Sequence, residues 1–152
     1  MSGWTVDTVL NRAISMEKQS YDLYVWAQGR VENPEAKKFL RDLAGEERKH
    51  RAKLSAALKD KERLTEIGSK AQRVQDLKIV DWLGDVRLSE DSDYQDILIF
   101  AGKREKETYE YYSELAERLG ETRIGQLFSR LAQEELGHKN KIEREYEKYI
   151  LQ

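Results

Sequence analysis

Both histidines of the chain end a pair of similar segments, EERKH at 46–50 and EELGH at 134–138. In each segment a glutamate lies three residues before the histidine, and on a helix this spacing places the two side chains on one face. Carboxylate and neutral imidazole groups together suit iron or manganese, and they also accept zinc. The chain has no cysteine, which excludes disulfides, thiolate catalysis, iron–sulfur clusters and cysteine-ligated metals.

The two segments belong to a longer internal repeat with a constant offset of 88 residues. The matched pairs are Ala13 and Ala101, Glu17 and Glu105, Tyr21 and Tyr109, Tyr24 and Tyr112, Leu43 and Leu131, Ala44 and Ala132, Glu46 and Glu134, Glu47 and Glu135, His50 and His138, and Lys53 and Lys141. Because one offset aligns all of them without a gap, we interpret the chain as a duplicated helical hairpin.

Apolar residues recur at alternating spacings of four and three through four stretches, which predicts four helices that pack side by side. The expected bounds are 5–30, 34–62, 93–119 and 123–149. The residues that support these bounds are Asn33 followed by Pro34, Ser92 with Gln95 three residues on, Gly120, and Thr122. Together they predict helices joined by short turns within each half of the chain.

The predicted fold is an all-α four-helix bundle that forms one domain over residues 1–152. Its parts are a first hairpin over 5–62, a long crossover over 63–92 and a second hairpin over 93–149. The crossover contains DLKIVDWL at 76–83, which is apolar enough to pack on the bundle as a short helix or an extended segment.

A glutamate interrupts each apolar seam near its middle, and the four glutamates are expected to lie at one level. Residues at equal distance from the turn of an antiparallel hairpin face each other, so Glu17 should face Glu47, and Glu105 should face Glu135. Four buried carboxylates without partners would cost several kcal/mol each, whereas two divalent cations would balance their charge. The predicted metal ligands are Glu17, Glu47, His50, Glu105, Glu135 and His138.

Other residues near these positions have simpler interpretations. Glu46 and Glu134 lie one step off the seam and are expected to face solvent or to support a ligand. Tyr21, Tyr24, Tyr109 and Tyr112 are expected to be core aromatics, with one or two of them hydrogen-bonded to a ligand carboxylate. Small-residue packing is the expected role of Ser20 and Thr108. The opposing interpretation of all six ligand candidates is that they are solvated charges on helix surfaces.

Composition narrows the classes of partner. The net charge is −2, from 27 basic and 29 acidic residues, which gives no reason to expect nucleic acid or an anionic membrane as a partner. No apolar run approaches the roughly 20 residues that span a bilayer. The first ten residues, MSGWTVDTVL, lack the pattern of a signal peptide, so the expected location is the cytoplasm.

The chain resembles the rubrerythrin-like ferritin family proteins of the ferritin-like superfamily over nearly its whole length. The segments that carry the resemblance are AISMEKQSYDLY, FLRDLAGEERKHRAKL, AGKREKETYEYY and LFSRLAQEELGHKNKIEREYE. The resemblance implies a ferritin-like bundle whose six ligand candidates hold two iron ions, which react with hydrogen peroxide or oxygen. Two departures stand out: there is no cysteine for a rubredoxin-type iron domain, and Thr108 stands where rubrerythrins have a further glutamate.

Three functions fit this resemblance. The first is a rubrerythrin-like peroxidase in oxidative-stress defence, which would need a separate electron donor. The second is a ferroxidase or iron-handling protein, and the third is a non-enzymatic metal-binding bundle. The crossover is long enough to fold along its own bundle or to reach a neighbour, and the apolar residues of DLKIVDWL need cover. A homodimer is therefore expected, and exchange of hairpins between its chains is an alternative closure.

Overall fold

The computed structural model describes residues 5–60, 76–78 and 80–151. Four long helices dominate these residues: α1 (Val6–Gln28), α2 (Pro34–Lys59), α3 (Tyr94–Leu119) and α4 (Arg123–Ile150). A 3₁₀ turn (Val80–Trp82) lies in the described residues between α2 and α3, and the described residues contain no β-strand. The predicted all-α four-helix bundle is confirmed.

The helix ends agree closely with the sequence prediction. The largest difference is at the end of α2, which stops at Lys59 with Asp60 as its C-cap. Residues 61 and 62 of the predicted helix, and residues 63–75 and 79 of the predicted crossover, lie outside the described residues. Among the helices that the structure describes, none combines the length and the apolar composition needed to span a membrane.

Three of the predicted helix boundaries have the expected chemistry. Asn33 caps α2 by accepting hydrogen bonds from the backbone amides of its first turn, and Pro34 occupies the first helical position. Thr122 caps α4 by accepting from the amide of Gly125. Gly120 ends α3 with a φ of 64°, a conformation that glycine adopts without the steric cost of a side chain.

The predicted cap of α3 is wrong by one residue. Asp93, not Ser92, is the N-cap, and its carboxylate accepts from the amide of Asp96 at 2.9 Å. The hydroxyl of Ser92 instead accepts from the amide of Ser89 at 2.8 Å and closes the turn before the helix. Both residue types make good caps, so the sequence pattern alone did not separate two adjacent positions.

The apolar seams pack into two buried clusters, one toward each end of the bundle. The first includes Tyr24, Leu40, Leu43, Leu98, Ala101 and Ile142, and the second includes Leu10, Leu54, Tyr112, Leu115, Phe128 and Leu131. Each cluster draws residues from all four helices. Along each helix, the seam glutamate lies between residues of the first cluster and residues of the second. The four glutamates therefore form a polar layer that divides the core.

The end of the crossover packs on the second hairpin, as predicted for DLKIVDWL. Val80 is fully buried against α3, where a side chain in place of Gly102 would come within 2.6 Å of a Val80 methyl group. Lys103 Nζ donates to the backbone oxygen of Leu83 at 2.5 Å. Because Val80 is covered by its own chain, its burial gives no reason to expect a partner.

A buried lysine fastens this segment to α4. Lys139 is fully buried, and its ammonium pairs with Asp76 at 2.8 Å, Asp81 at 2.9 Å and Glu143 at 3.1 Å. Burial alone would lower the pKa of Lys139, but these three carboxylates raise it. Glu143 also accepts a hydrogen bond from the amide of Val80 at 2.6 Å. One lysine thus joins two points of the crossover to the helix that carries His138.

We expect Lys139→Ala to lower the free energy of unfolding by about 3–5 kcal/mol, because it leaves the buried carboxylate of Glu143 without its cation. The matched control is Arg51→Ala at the equivalent place of the first hairpin, where the partly exposed side chain should cost less than about 1 kcal/mol. Urea unfolding of both variants measures the difference. Equal losses would show that the ion-pair cluster contributes nothing special.

Candidate metal centre

The six predicted ligands meet in the polar layer of the core. None of these six residues is more than 4% exposed. They are Glu17 on α1, Glu47 and His50 on α2, Glu105 on α3, and Glu135 and His138 on α4. The alternative interpretation of these residues as solvated surface charges is wrong, since the helix seams place all six inside the bundle.

The two histidines pair with carboxylates of the opposite hairpin. His50 Nδ1 lies 2.6 Å from Glu135 Oε1, and His138 Nδ1 lies 2.8 Å from Glu47 Oε1. The 88-residue offset converts one pair into the other, so the internal repeat is also a spatial pseudo-symmetry. The two imidazole rings stack with their centroids 5.3 Å apart and their planes inclined by 11°.

Two tyrosines bind the remaining carboxylates with the same symmetry. Tyr24 donates its hydroxyl hydrogen to Glu105 Oε1, and Tyr112 donates to Glu17 Oε1 at 2.8 Å. Both tyrosines are fully buried, and burial together with the adjacent carboxylate raises the pKa of each well above its usual range. The prediction that one or two of the four repeated tyrosines contact a ligand carboxylate is confirmed. Tyr21 and Tyr109 are partly buried and pack against the apolar clusters.

In each of the four carboxylates, only one of the two oxygens has a hydrogen-bond partner among the described residues. In every case Oε1 bonds to the opposite hairpin, whereas Oε2 is buried and has no hydrogen-bond partner among the described residues. Buried polar atoms without partners are rare in proteins, and a cluster of them calls for a bound ion or ligand. The carboxylates are those of Glu17, Glu47, Glu105 and Glu135. Their chemistry fits a centre for hard, divalent cations.

The donor atoms form two overlapping groups, in each of which they lie within 4.8 Å of one another. The first group is Glu17, Glu47, His50 and Glu135, and the second is Glu47, Glu105, Glu135 and His138. Each group has three carboxylates and one imidazole and could hold a metal ion. Because Glu47 and Glu135 belong to both groups, the two positions share these carboxylates.

Burial and mutual repulsion make it unfavourable for all four carboxyl groups to be ionised when no cation is bound. Burial raises the pKa of Glu47, Glu105 and Glu135, and the charge of a neighbouring carboxylate raises it further in each case. Glu17 differs: burial opposes its ionisation, but contacts with Glu47 and His50 outweigh burial and lower its pKa. The metal-free centre therefore retains protons that cations would displace.

The histidines differ although their surroundings are nearly symmetric. Burial disfavours the charged form of both. For His50, the carboxylates of Glu134, Glu135 and Glu17 outweigh burial and raise the pKa to about 12. For His138, burial dominates and lowers the pKa. Glu134 causes part of the difference, since its Oε2 lies 3.7 Å from His50 Nε2, while Glu46 pairs with Lys49 at 3.4 Å.

Ser20 and Thr108 are buried beside the centre, as their small size suggested, but both also contact Arg104. The guanidinium of Arg104 donates to Ser20 Oγ at 3.3 Å, and Thr108 donates to the backbone oxygen of Arg104 at 3.0 Å. This arginine crosses from α3 to α1, a contact that the sequence analysis missed. The available signal was its place directly before Glu105, where the repeat has Met16 before Glu17.

The family model described as Rubrerythrin matches residues 8–146 of the chain. That range contains all six candidate ligands and both tyrosines that contact them. No curated protein and no solved structure matches the chain.

Proposed function

This chain belongs to the rubrerythrin family, and from that premise we propose that it is a non-haem di-iron protein that reduces hydrogen peroxide in defence against oxidative stress. One observation carries the proposal: four buried carboxylate oxygens without hydrogen-bond partners lie in two overlapping groups with the histidines. Ionised carboxylates in such a place need cations, because each buried charge costs several kcal/mol when it is unpaired.

Two iron ions fit the donor set. The residues that would bind a single ion each are Glu17 and His50 for one, and Glu105 and His138 for the other. Glu47 and Glu135 belong to both groups and would bind both ions. Two ferrous ions carry a charge of +4, which balances four carboxylates while the histidines are neutral. Manganese and zinc suit the same donors, so the identity of the metal needs measurement.

When bound, two ferrous ions supply the two electrons that, with two protons, convert one hydrogen peroxide to two waters and leave two ferric ions. The protein positions the ligands for this change. Tyr24 and Tyr112 hold the outer carboxylates, and the apolar clusters on both sides keep bulk water from the centre. A separate electron donor must reduce the ions again, because the chain has no cysteine for a rubredoxin-type iron site.

The diferrous protein is expected to be oxidised faster by hydrogen peroxide than by oxygen. Two ferrous ions provide all the electrons that peroxide needs to form water, but only half of those that oxygen needs. The measurement is stopped-flow absorbance after anaerobic loading, with each oxidant at the same concentration. Zinc-loaded protein is the control, since zinc has no accessible redox change. Equal rates, or faster oxidation by oxygen, would contradict the peroxidase proposal.

A ferroxidase or iron-handling function is the second candidate, and one position favours it. Thr108 lies where rubrerythrins have a further glutamate, and its hydroxyl is used by the backbone of α3. The donor set therefore keeps the symmetry of the repeat. Light scattering on the loaded protein separates the candidates. A hollow shell that accumulates a ferric mineral supports storage, whereas a dimer without mineral supports the peroxidase. A centre that reacts with neither oxidant supports a non-enzymatic bundle.

We propose a homodimer in the cytoplasm as the working assembly. All six candidate ligands meet within one chain, so the site is complete without a partner. Exchange of hairpins between two chains would bring the same residue types together, because every hydrogen bond described at the centre joins one hairpin to the other. Exchange is therefore proposed as an alternative closure of the same site.

A further inference from the structure

A third group of donors joins the two histidines of the proposed dinuclear centre to a glutamate outside it. A carboxylate oxygen of Glu46 and one ring nitrogen from each of His50 and His138 lie within 4.8 Å of one another. Glu46 is not part of either inner group, and its side chain is 39% exposed. The two imidazoles thus lie between the inner carboxylates and a carboxylate that solvent can reach.

The outer edge of His50 lacks a hydrogen-bond partner. Its Nδ1 contacts Glu135 inside the centre, so Nε2 is on the other side of the ring. This Nε2 is buried, makes no hydrogen bond within the described part of the chain, and lies 3.7 Å from Glu134 Oε2. A buried ring nitrogen directed toward a carboxylate, with no bonded partner, is a donor arrangement that a cation would complete.

A surface cleft borders Glu46, the solvent-accessible member of this group. It has a volume of about 410 Å³, and Glu46, Lys49 and Lys141 are among its lining residues. Lys49 contacts Glu46 at 3.4 Å and Lys53 contacts Glu134 at 3.7 Å. Both ion pairs are largely exposed, and such pairs contribute only about 0–1 kcal/mol, so a divalent cation can displace the lysines.

We propose that Glu46, Glu134 and the outer edges of His50 and His138 form a transit site for divalent transition-metal ions on their way into the dinuclear centre. An incoming ion meets the exposed carboxylates first, then the imidazoles, and finally the unpartnered inner oxygens. This inference rests on the proposed function, since it assumes that the inner centre binds metal. It assigns a role to the two repeated glutamates that lie off the helix seams.

The test follows the uptake of Co²⁺ by metal-free protein in a stopped-flow spectrometer, using the absorbance of the bound ion. Glu46→Gln and Glu134→Gln remove one charge each at nearly constant volume, and Glu107→Gln is the matched control on the exposed face of α3. We expect either transit-site variant to load about tenfold more slowly, as for the loss of an attracting charge near an entrance. The control should load at the wild-type rate.

Release is the second measurement, made with excess EDTA on fully loaded protein. A transit site speeds passage in both directions, so Glu46→Gln should slow release by the same factor and leave the final cobalt content unchanged. Wild-type loading rates in Glu46→Gln would overturn the proposal. Faster release with a lower final content would also overturn it, because that result marks a residue that only orients the histidines. Wild-type protein that takes up no cobalt would instead refute the proposed metal centre itself.

Discussion

His50→Ala protein is expected to hold at most one of the two metal ions that the wild type is proposed to bind. The substitution removes the imidazole from the group formed with Glu17, Glu47 and Glu135 and leaves three carboxylates without a nitrogen donor. Glu135→Ala should lose at least one ion as well, because its carboxylate belongs to both groups. Elemental analysis of protein loaded anaerobically and then desalted measures the content.

Symmetry supplies the controls for this experiment. His138→Ala should lose as much metal as His50→Ala, since the repeat relates the two positions. Glu107→Ala changes an exposed glutamate of α3 and should keep the full content. Circular dichroism must show that each variant remains helical. Full metal content in both His50→Ala and Glu135→Ala would refute the ligand assignment.

The sequence predicted the residues of the centre and their pairing within each hairpin, but not the hydrogen bonds between the hairpins. The helical period of the apolar seams and the positions of the turns place four glutamates at one level of the bundle, and the structure brings these four together. They are Glu17, Glu47, Glu105 and Glu135. Glu17 lies next to Glu47 and Glu105 lies next to Glu135, as predicted within each hairpin. The hydrogen bonds that join one hairpin to the other, as between His50 and Glu135, were not predicted. The height of a residue along the bundle depends only on its distance from a turn. Which residues of the two hairpins form hydrogen bonds depends on how the hairpins are rotated about the bundle axis, and local sequence patterns do not encode this rotation.

The ion pairs that hold the crossover on α4 could not be predicted from the sequence, for a different reason. A lysine is rarely buried unless carboxylates surround it, and nothing in the sequence next to Lys139 distinguishes it from a surface lysine. Two of its three partners, Asp76 and Asp81, lie about 60 residues earlier in the chain. The repeat held a weak signal, since Lys139 matches Arg51 and Gly102 matches Ile14. These differences mark the face of the second hairpin on which Val80 and the carboxylates of the described crossover residues pack.

The metal-free protein is expected to lose stability as the pH rises from 7 to 9, opposite to the usual behaviour of ion-paired carboxylates. Glu47, Glu105 and Glu135 have pKa values raised by burial, and the pKa of His50 is raised to about 12. His50 therefore retains in the folded state a proton that the unfolded chain has already released at pH 7, and a carboxyl with a raised pKa keeps its proton to higher pH than the same carboxyl in the unfolded chain. Stability from a raised pKa is complete below the unfolded value and is lost as the pH climbs toward the folded one.

The other groups of the centre with shifted pKa values do not change the stability between pH 7 and 9. Glu17 has a lowered pKa, so its contribution changes only below the usual glutamate value of 4.5. His138, also lowered, has no effect once the unfolded histidine is neutral above about pH 7. The raised pKa values of Tyr24 and Tyr112 matter only above 10. Between pH 7 and 9 the slope therefore reports His50 and those raised carboxyls that are still protonated in this range.

Each excess proton in the folded state makes stability fall by about 1.4 kcal/mol per pH unit, so urea unfolding at pH 7, 8 and 9 resolves even one. Bound cations replace those protons, because metal ligands must be deprotonated, and loading with Co²⁺ should abolish or reverse the slope. Glu47→Gln removes one titrating carboxyl and should flatten the metal-free profile. A metal-free wild-type profile that is flat, or that rises with pH, would contradict the prediction. The buried carboxylates would then be charged without cations and would not require a metal.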